Sequence, residues 1–201
     1  MEKPFQIYIK YGDKKYTGEE VTYLEHGLYT AKLAEQYCQE YNILNPFKEE
    51  LITSCLLHNI GNLLVFEYPN NKYPSIKDIG VRDYEFIGGE FLLSLGFSSV
   101  VSDIIKKHIY TKRYLVSINE DYFYTLSKHS RKKLDYQGGL LTKNETSKYQ
   151  KNNLFDFHIK VREWIDLAKN KKNFKYLDSK DKHNIFSDMY QKYVLKTSKI
   201  I

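Results

Sequence analysis

The sequence predicts an all-α, single-domain helical bundle, and three observations carry that reading. Apolar residues recur at spacings of three and four along most of the chain, capping signals precede those runs, and the links between them are short. A chain of 201 residues is long enough for one domain with a proper core. We assign residues 1–170 to that domain and residues 171–201 to a lysine-rich helical extension.

Residues 1–16 read two ways. Phe5, Ile7 and Ile9 alternate as in a strand, yet no second strand is available to pair with them. Thr17-Gly18-Glu19-Glu20 has the form of a capping box, and Val21, Leu24, Leu28, Ala31, Ala34 and Cys38 make the apolar stripe of the helix after it. His26 lies at the edge of that stripe. Asn45-Pro46 opens a second helix through Leu51, Ile52, Cys55 and His58, which Gly61 is expected to end; residues 65–74 then read as a loop. Asp83 starts a third helix, through Ile87 and Phe91 to a stop at Gly96. Ser99 caps a fourth, which carries Val101, Ile104, Ile105 and His108.

Asn119, Ser127 and Thr142 are caps for shorter helices, the last within the box Thr142-Lys143-Asn144-Glu145, and Gly138-Gly139 ends the middle one. Phe155, Ile159, Arg162 and Asp166 continue the helix begun at Thr142 or start its successor. Ile185, Met189 and Tyr193 mark a last amphipathic stretch.

Composition removes several functions. The net charge of +6 comes mostly from lysines spread along the chain, densest at Lys128 to Lys133 and Asn170 to Lys175, and diffuse lysine of this kind is usually a solvated surface, with a charged pocket for a small anion fitting equally well. With no arginine-rich helix, RNA-binding aromatic signature or zinc-finger spacing, no nucleic-acid partner is expected. No cleavable signal or eighteen-residue apolar run is present, so no membrane partner is expected either. Cys38 and Cys55 read as reduced core thiols, which suits the cytoplasm.

The chemistry gathers around Leu56-Leu57-His58-Asn59-Ile60-Gly61, with His26 upstream and His108 downstream. Three histidines, each within an apolar helical pattern, can converge on one point in a bundle, and neutral imidazole is the commonest protein ligand for a transition metal. A lone histidine on such a face is ordinarily a core residue; its two companions are what raise the metal reading. Asn59 stands where an aspartate would complete a His-Asp pair.

His26, His58-Asn59 and His108, followed by Thr111-Lys112-Arg113-Tyr114-Leu115, resemble the HD-domain superfamily, and specifically its oxygenase branch, which cleaves a carbon–phosphorus bond in hydroxylated aminoalkylphosphonates. The resemblance extends over Tyr16-Thr17-Gly18-Glu19, Leu24-Glu25-His26, Gln137-Gly138-Gly139 and Arg162-Glu163-Trp164, and it implies a single HD-domain helical bundle. It also implies a set of iron ligands: His26, His58, Asn59, Tyr84, His108 and Ile165 match the family's six positions. Three of the six are changed. The family's central aspartate bridges two irons, whereas Asn59 offers one good oxygen and no charge, and Ile165 offers nothing. Asp166 points about 100° away around a helix from position 165. The implied metal site is therefore reduced to one iron or other divalent ion on His26, His58, Asn59 and His108, and the ligand count argues against a full two-iron centre.

The same resemblance implies a substrate side that is intact. Tyr16 and Glu19 match groups facing a substrate's amine end; Lys112, Ser130 and Arg162 match groups around the phosphonate. A lysine charge, an arginine fork and a hydroxyl suit a tetrahedral oxyanion, and a carboxylate suits an ammonium. Read singly, Lys112 and Arg162 are ordinary solvated side chains. The expected partner is a small anionic or zwitterionic ligand, with a homo-oligomer left open.

Three functions compete at this stage. One is a divergent, inactive relative that keeps the anion pocket. The second is an active enzyme with a reworked centre, a single-iron oxygenase or a metal-dependent phosphohydrolase. The third is an interaction scaffold using the lysine-rich extension.

Overall fold

The computed structural model describes residues 2–16, 18–76, 80–172, 174 and 181–197. Helices dominate it. In chain order they are α1 (Glu2–Tyr11), α2 (Tyr23–Glu40), α3 (Phe47–Leu57), α4 (Ile60–Glu67), α5 (Tyr84–Ser94), α6 (Ser99–Ile118), α7 (Glu120–Thr125), α8 (Lys128–Tyr136), α9 (Lys143–Tyr149), α10 (Phe155–Leu167) and α11 (Lys182–Lys192). Between α4 and α5, β1 (Ser75–Ile76) and β2 (Gly80–Val81) form one short antiparallel pair. No helix among the described residues is long and apolar enough to cross a membrane.

Helix α6 is the axis of the bundle, packing against α3, α5 and α10, while α2 packs against α3 and α10. The shared core includes Leu24, Leu28, Leu51, Ile52, Leu56, Leu63, Ile104, Ile105 and Val161, all nearly or fully buried. Phe186, Met189, Tyr190 and Val194 from α11 and the turn after it are buried in that same core. Phe186 stacks on Tyr8 of α1, so the two ends of the chain meet.

Several local expectations change. The N-terminal segment is a helix, because its buried residues are Pro4, Ile7 and Tyr8, at helical spacing, and Ile9 is exposed. Thr17 lies outside the described residues. The box that caps α2 is instead Thr22 with Glu25, the threonine oxygen accepting from Glu25 N–H at 3.1 Å and the carboxylate accepting from Thr22 N–H at 2.8 Å. Ser98, one residue before the expected Ser99, caps α6.

Gly61 does not stop a helix. The chain turns at His58-Asn59 and continues into α4, so the expected loop begins only after Glu67. Gly61 is needed for a different reason: a Cβ there would fall on the Tyr84 carbonyl oxygen, and Gly88 faces it from α5. Helices α4 and α5 thus meet backbone to backbone. The caps at Asn119, Ser127 and Thr142 form as expected, and Gly138 and Gly139 take φ of 98° and 62° after α8. Arg113 holds that turn by donating to both glycine carbonyls.

Candidate functional site

Three helices and one corner deliver the histidine cluster. His26 comes from the first turn of α2, His58 and Asn59 from the α3–α4 corner, Tyr84 from the start of α5 and His108 from the middle of α6. The rings of His26 and His58 lie 4.8 Å apart and those of His58 and His108 5.7 Å apart. All three histidines and Asn59 are buried to 1 % exposure or less.

Backbone carbonyls fix the tautomers. His26 Nε2 lies 2.9 Å from Ile165 O, His58 Nδ1 2.7 Å from Cys55 O and His108 Nδ1 2.6 Å from Ile105 O. A carbonyl only accepts, so each of those nitrogens carries the proton and the opposite nitrogen of each ring presents a lone pair. His26 Nδ1 and His58 Nε2 consequently face each other as two acceptors 3.2 Å apart. The Asn59 amide nitrogen donates to both, at 2.8 and 2.9 Å. The third lone pair, His108 Nε2, accepts from the Tyr84 hydroxyl at 3.0 Å. Every inward lone pair therefore meets a hydrogen.

Burial, reinforced by nearby cations, keeps the imidazoles neutral: His58 is lowered to about 4, and His26 and His108 are pushed well below the usual histidine value. Tyr16 stacks on His26 at 4.8 Å and 21°, shielding the cluster from the surface.

On the other side of Tyr16 opens a groove of about 920 Å³, lined among others by Glu19, Ser127, Asp166 and Lys169. Beneath it Arg162 is 2 % exposed and forks onto Asp166, whose carboxylate also accepts from Tyr122 at 2.6 Å and from Lys169 at 2.9 Å. Burial alone would raise the Asp166 pKa; Arg162 and Lys169 outweigh it and hold the carboxyl far below the ordinary range. Lys169 reaches Ser130 Oγ at 2.8 Å. Lys112, one turn beyond His108 on α6, is buried, approaches the Ser130 carbonyl at 3.5 Å and donates to Gln137. Burial and the charges of Arg162 and Lys169 lower its pKa well below the usual lysine value. Glu19 accepts from Ser127 Oγ at 2.8 Å.

Two groups of expected residues are thus each brought together: His26, His58, Asn59 and His108 in the cluster, and Glu19, Lys112, Ser130 and Arg162 around the groove, with Tyr16 between the two. Ile165 reaches the cluster through its backbone alone, and Asp166 is engaged by Arg162, Lys169 and Tyr122. Lys169 escaped the sequence reading, although its signal was there: Arg162, Asp166 and Lys169 fall at i, i+4 and i+7, one stripe of α10 continued into the turn after it. Ser127 was visible as a cap and not as a partner of Glu19. Tyr122 carried no local signal.

The HD domain profile matches residues 23–151, which span α2 through α9. The chain belongs to the HD-domain family. Three relatives match this chain over a longer stretch than that profile does. A hydroxymethylphosphonate dioxygenase of Gimesia maris is 33% identical over 165 residues, covering 82% of this chain and 76% of the relative. A [1-hydroxy-2-(trimethylamino)ethyl]phosphonate dioxygenase (glycine-betaine-forming) of Leisingera caerulea is 36% identical over 162 residues, covering 81% and 76%. An uncharacterized protein of Acanthamoeba polyphaga mimivirus is 31% identical over 163 residues, covering 81% and 69%.

The two-iron centre that the HD oxygenase resemblance implies does not fit the residues present. At the bridging position Asn59 turns an N–H₂ donor inward, where two dications would need an anionic oxygen. Tyr84 brings a hydroxyl that burial keeps protonated, its pKa well above that of an ordinary phenol. Among the described residues no group of three or more His, Cys, Asp or Glu side chains is placed to hold a metal ion.

Proposed function

We propose that this HD-domain protein binds a small phosphonate or phosphate ester in the groove beside Tyr16 and does not carry out the two-iron oxygenase reaction. One observation carries the reading: two of the changed ligand positions, Asn59 and Tyr84, supply the very hydrogens that cap the imidazole lone pairs. A cluster whose imidazole lone pairs are met in this way is neutral and buried, and those lone pairs need no cation to satisfy them. The cations meanwhile remain beside the groove, where Lys112 and Lys169 approach Ser130 and Arg162 pairs with Asp166. The ligand class follows from that chemistry and from the names of two relatives, both phosphonate dioxygenases. Titration calorimetry against phosphonates and phosphate esters tests binding, with heat expected for at least one; no heat with any of them defeats the proposal. Phosphate release under air after anaerobic loading with Fe(II) would defeat its second half.

A reworked one-metal enzyme, an oxygenase or a phosphohydrolase, is favoured by a single feature. Asn59 Oδ1 is buried with no hydrogen-bond partner. Turning that amide end for end would bring its oxygen beside both lone pairs and give one ion three donors. Stoichiometric Fe(II) or Mn(II) in the purified protein, or taken up anaerobically, supports this second reading; metal content near zero after such loading rejects it.

A further inference from the structure

Glu19, the carboxylate expected to meet a ligand's amine, already has a cation beside it. Lys169 Nζ stands 3.9 Å from Glu19 Oε1, and the same oxygen accepts from Ser127 Oγ at 2.8 Å. The lysine is not a passing surface group. Its side chain is only 11 % exposed, and it is fixed by Ser130 Oγ at 2.8 Å and by Asp166 Oδ1 at 2.9 Å. A second ammonium brought to Glu19 would have to enter within a few ångströms of Lys169, in a setting where little water screens like charges.

The charges around Ser130 point the same way. Lys169 lies close enough to Lys112 and Lys133 for its charge to act on both, and Arg162 acts on Lys112, so a tetrahedral oxyanion entering here meets several basic groups.

We infer that Lys169 fills the cation half of this site, so that the preferred ligand is a small tetrahedral dianion carrying no ammonium group of its own. Lys169 is then a specificity-determining residue. This rests on the reading of the groove as an oxyanion site, and the experiment separates the two claims. The full chain is titrated calorimetrically with methylphosphonate and with 2-aminoethylphosphonate, as wild type, Lys169→Gln and Lys169→Arg.

The wild type is expected to bind methylphosphonate at least tenfold more tightly than 2-aminoethylphosphonate. Lys169→Arg keeps that preference, and Lys169→Gln shifts it at least tenfold toward the aminated compound. Equal or tighter wild-type binding of 2-aminoethylphosphonate overturns the assignment of Lys169 while leaving the oxyanion site standing. An unchanged ratio in Lys169→Gln overturns it as well. Silence with both compounds in the wild type removes the oxyanion site itself, and this inference with it.

Discussion

The Asn59 amide nitrogen lies 2.8 Å from His26 Nδ1, bridging to an imidazole 33 positions earlier in the chain. Asn59→Asp replaces that donor with a carboxylate beside two lone pairs, so without metal the variant is expected to lose about 1–3 kcal/mol of stability. Adding Fe(II) or Mn(II) anaerobically is then expected to raise its melting temperature, with no such rise in the wild type. Restoring Tyr84→His and Ile165→Asp in the same chain is expected to strengthen the response and to produce a two-iron signal by electron paramagnetic resonance. A wild type stabilised by metal as strongly as the variant contradicts the capped-cluster account.

Tyr84→Phe removes one oxygen and leaves His108 Nε2 without its donor. The cost of a buried acceptor left unsatisfied is about 1–3 kcal/mol, read as a lower urea midpoint at an unchanged slope. A loss no larger than that of an exposed tyrosine, for example Tyr124→Phe, would show that the hydroxyl is not holding the ring.

The three neutral histidines give stability a definite pH dependence. Burial places their folded pKa values below the usual histidine value of 6.5, His58 at about 4. The unfolded chain therefore binds more protons below pH 6.5, and native stability falls as pH drops through that value toward 4. Each histidine contributes up to about 1.4 kcal/mol per pH unit in that window. Urea midpoints measured at pH 7, 6 and 5 check this, and a flat profile would mean that the rings are charged in the native state.

Glu35 ties the C-terminal helix to α2. It accepts from Lys32 at 2.8 Å and Lys192 at 3.0 Å and receives the Tyr193 hydroxyl. Burial pulls its pKa upward, but these partners win and lower it to about 2. Its contribution is therefore present above the ordinary value of 4.5 and is lost as pH falls toward 2. Glu35→Gln is expected to cost about 1–3 kcal/mol at neutral pH and to flatten the acid limb of the stability curve.

The sequence disclosed what depends on local spacing. Apolar stripes, the caps at Asn119, Ser127 and Thr142, and the turn at Gly138-Gly139 are each set within a few residues, and all of them form. The N-terminal helix was obscured because Phe5, Ile7 and Ile9 mimic alternation, while the stripe that matters, Pro4, Ile7 and Tyr8, is completed by contact with α11. Changed residues at positions 59 and 84 were visible as losses of metal ligands. What replaced the ligands was not, since the donor role of Asn59 depends on carbonyls at Cys55 and Ile165 that fix the two rings. Lys169 was legible on the stripe of Arg162 and Asp166, but its pairing with Glu19 was not, since only the folded groove sets the two within reach.

The close approach of Gly61 to Tyr84 makes the cluster's geometry hostage to a residue that touches no ligand. A single methyl group at position 61 would prise α5 off the His58-Asn59 corner and carry the Tyr84 hydroxyl away from His108. Damage would begin at a silent hinge point, with every polar partner still encoded in the chain.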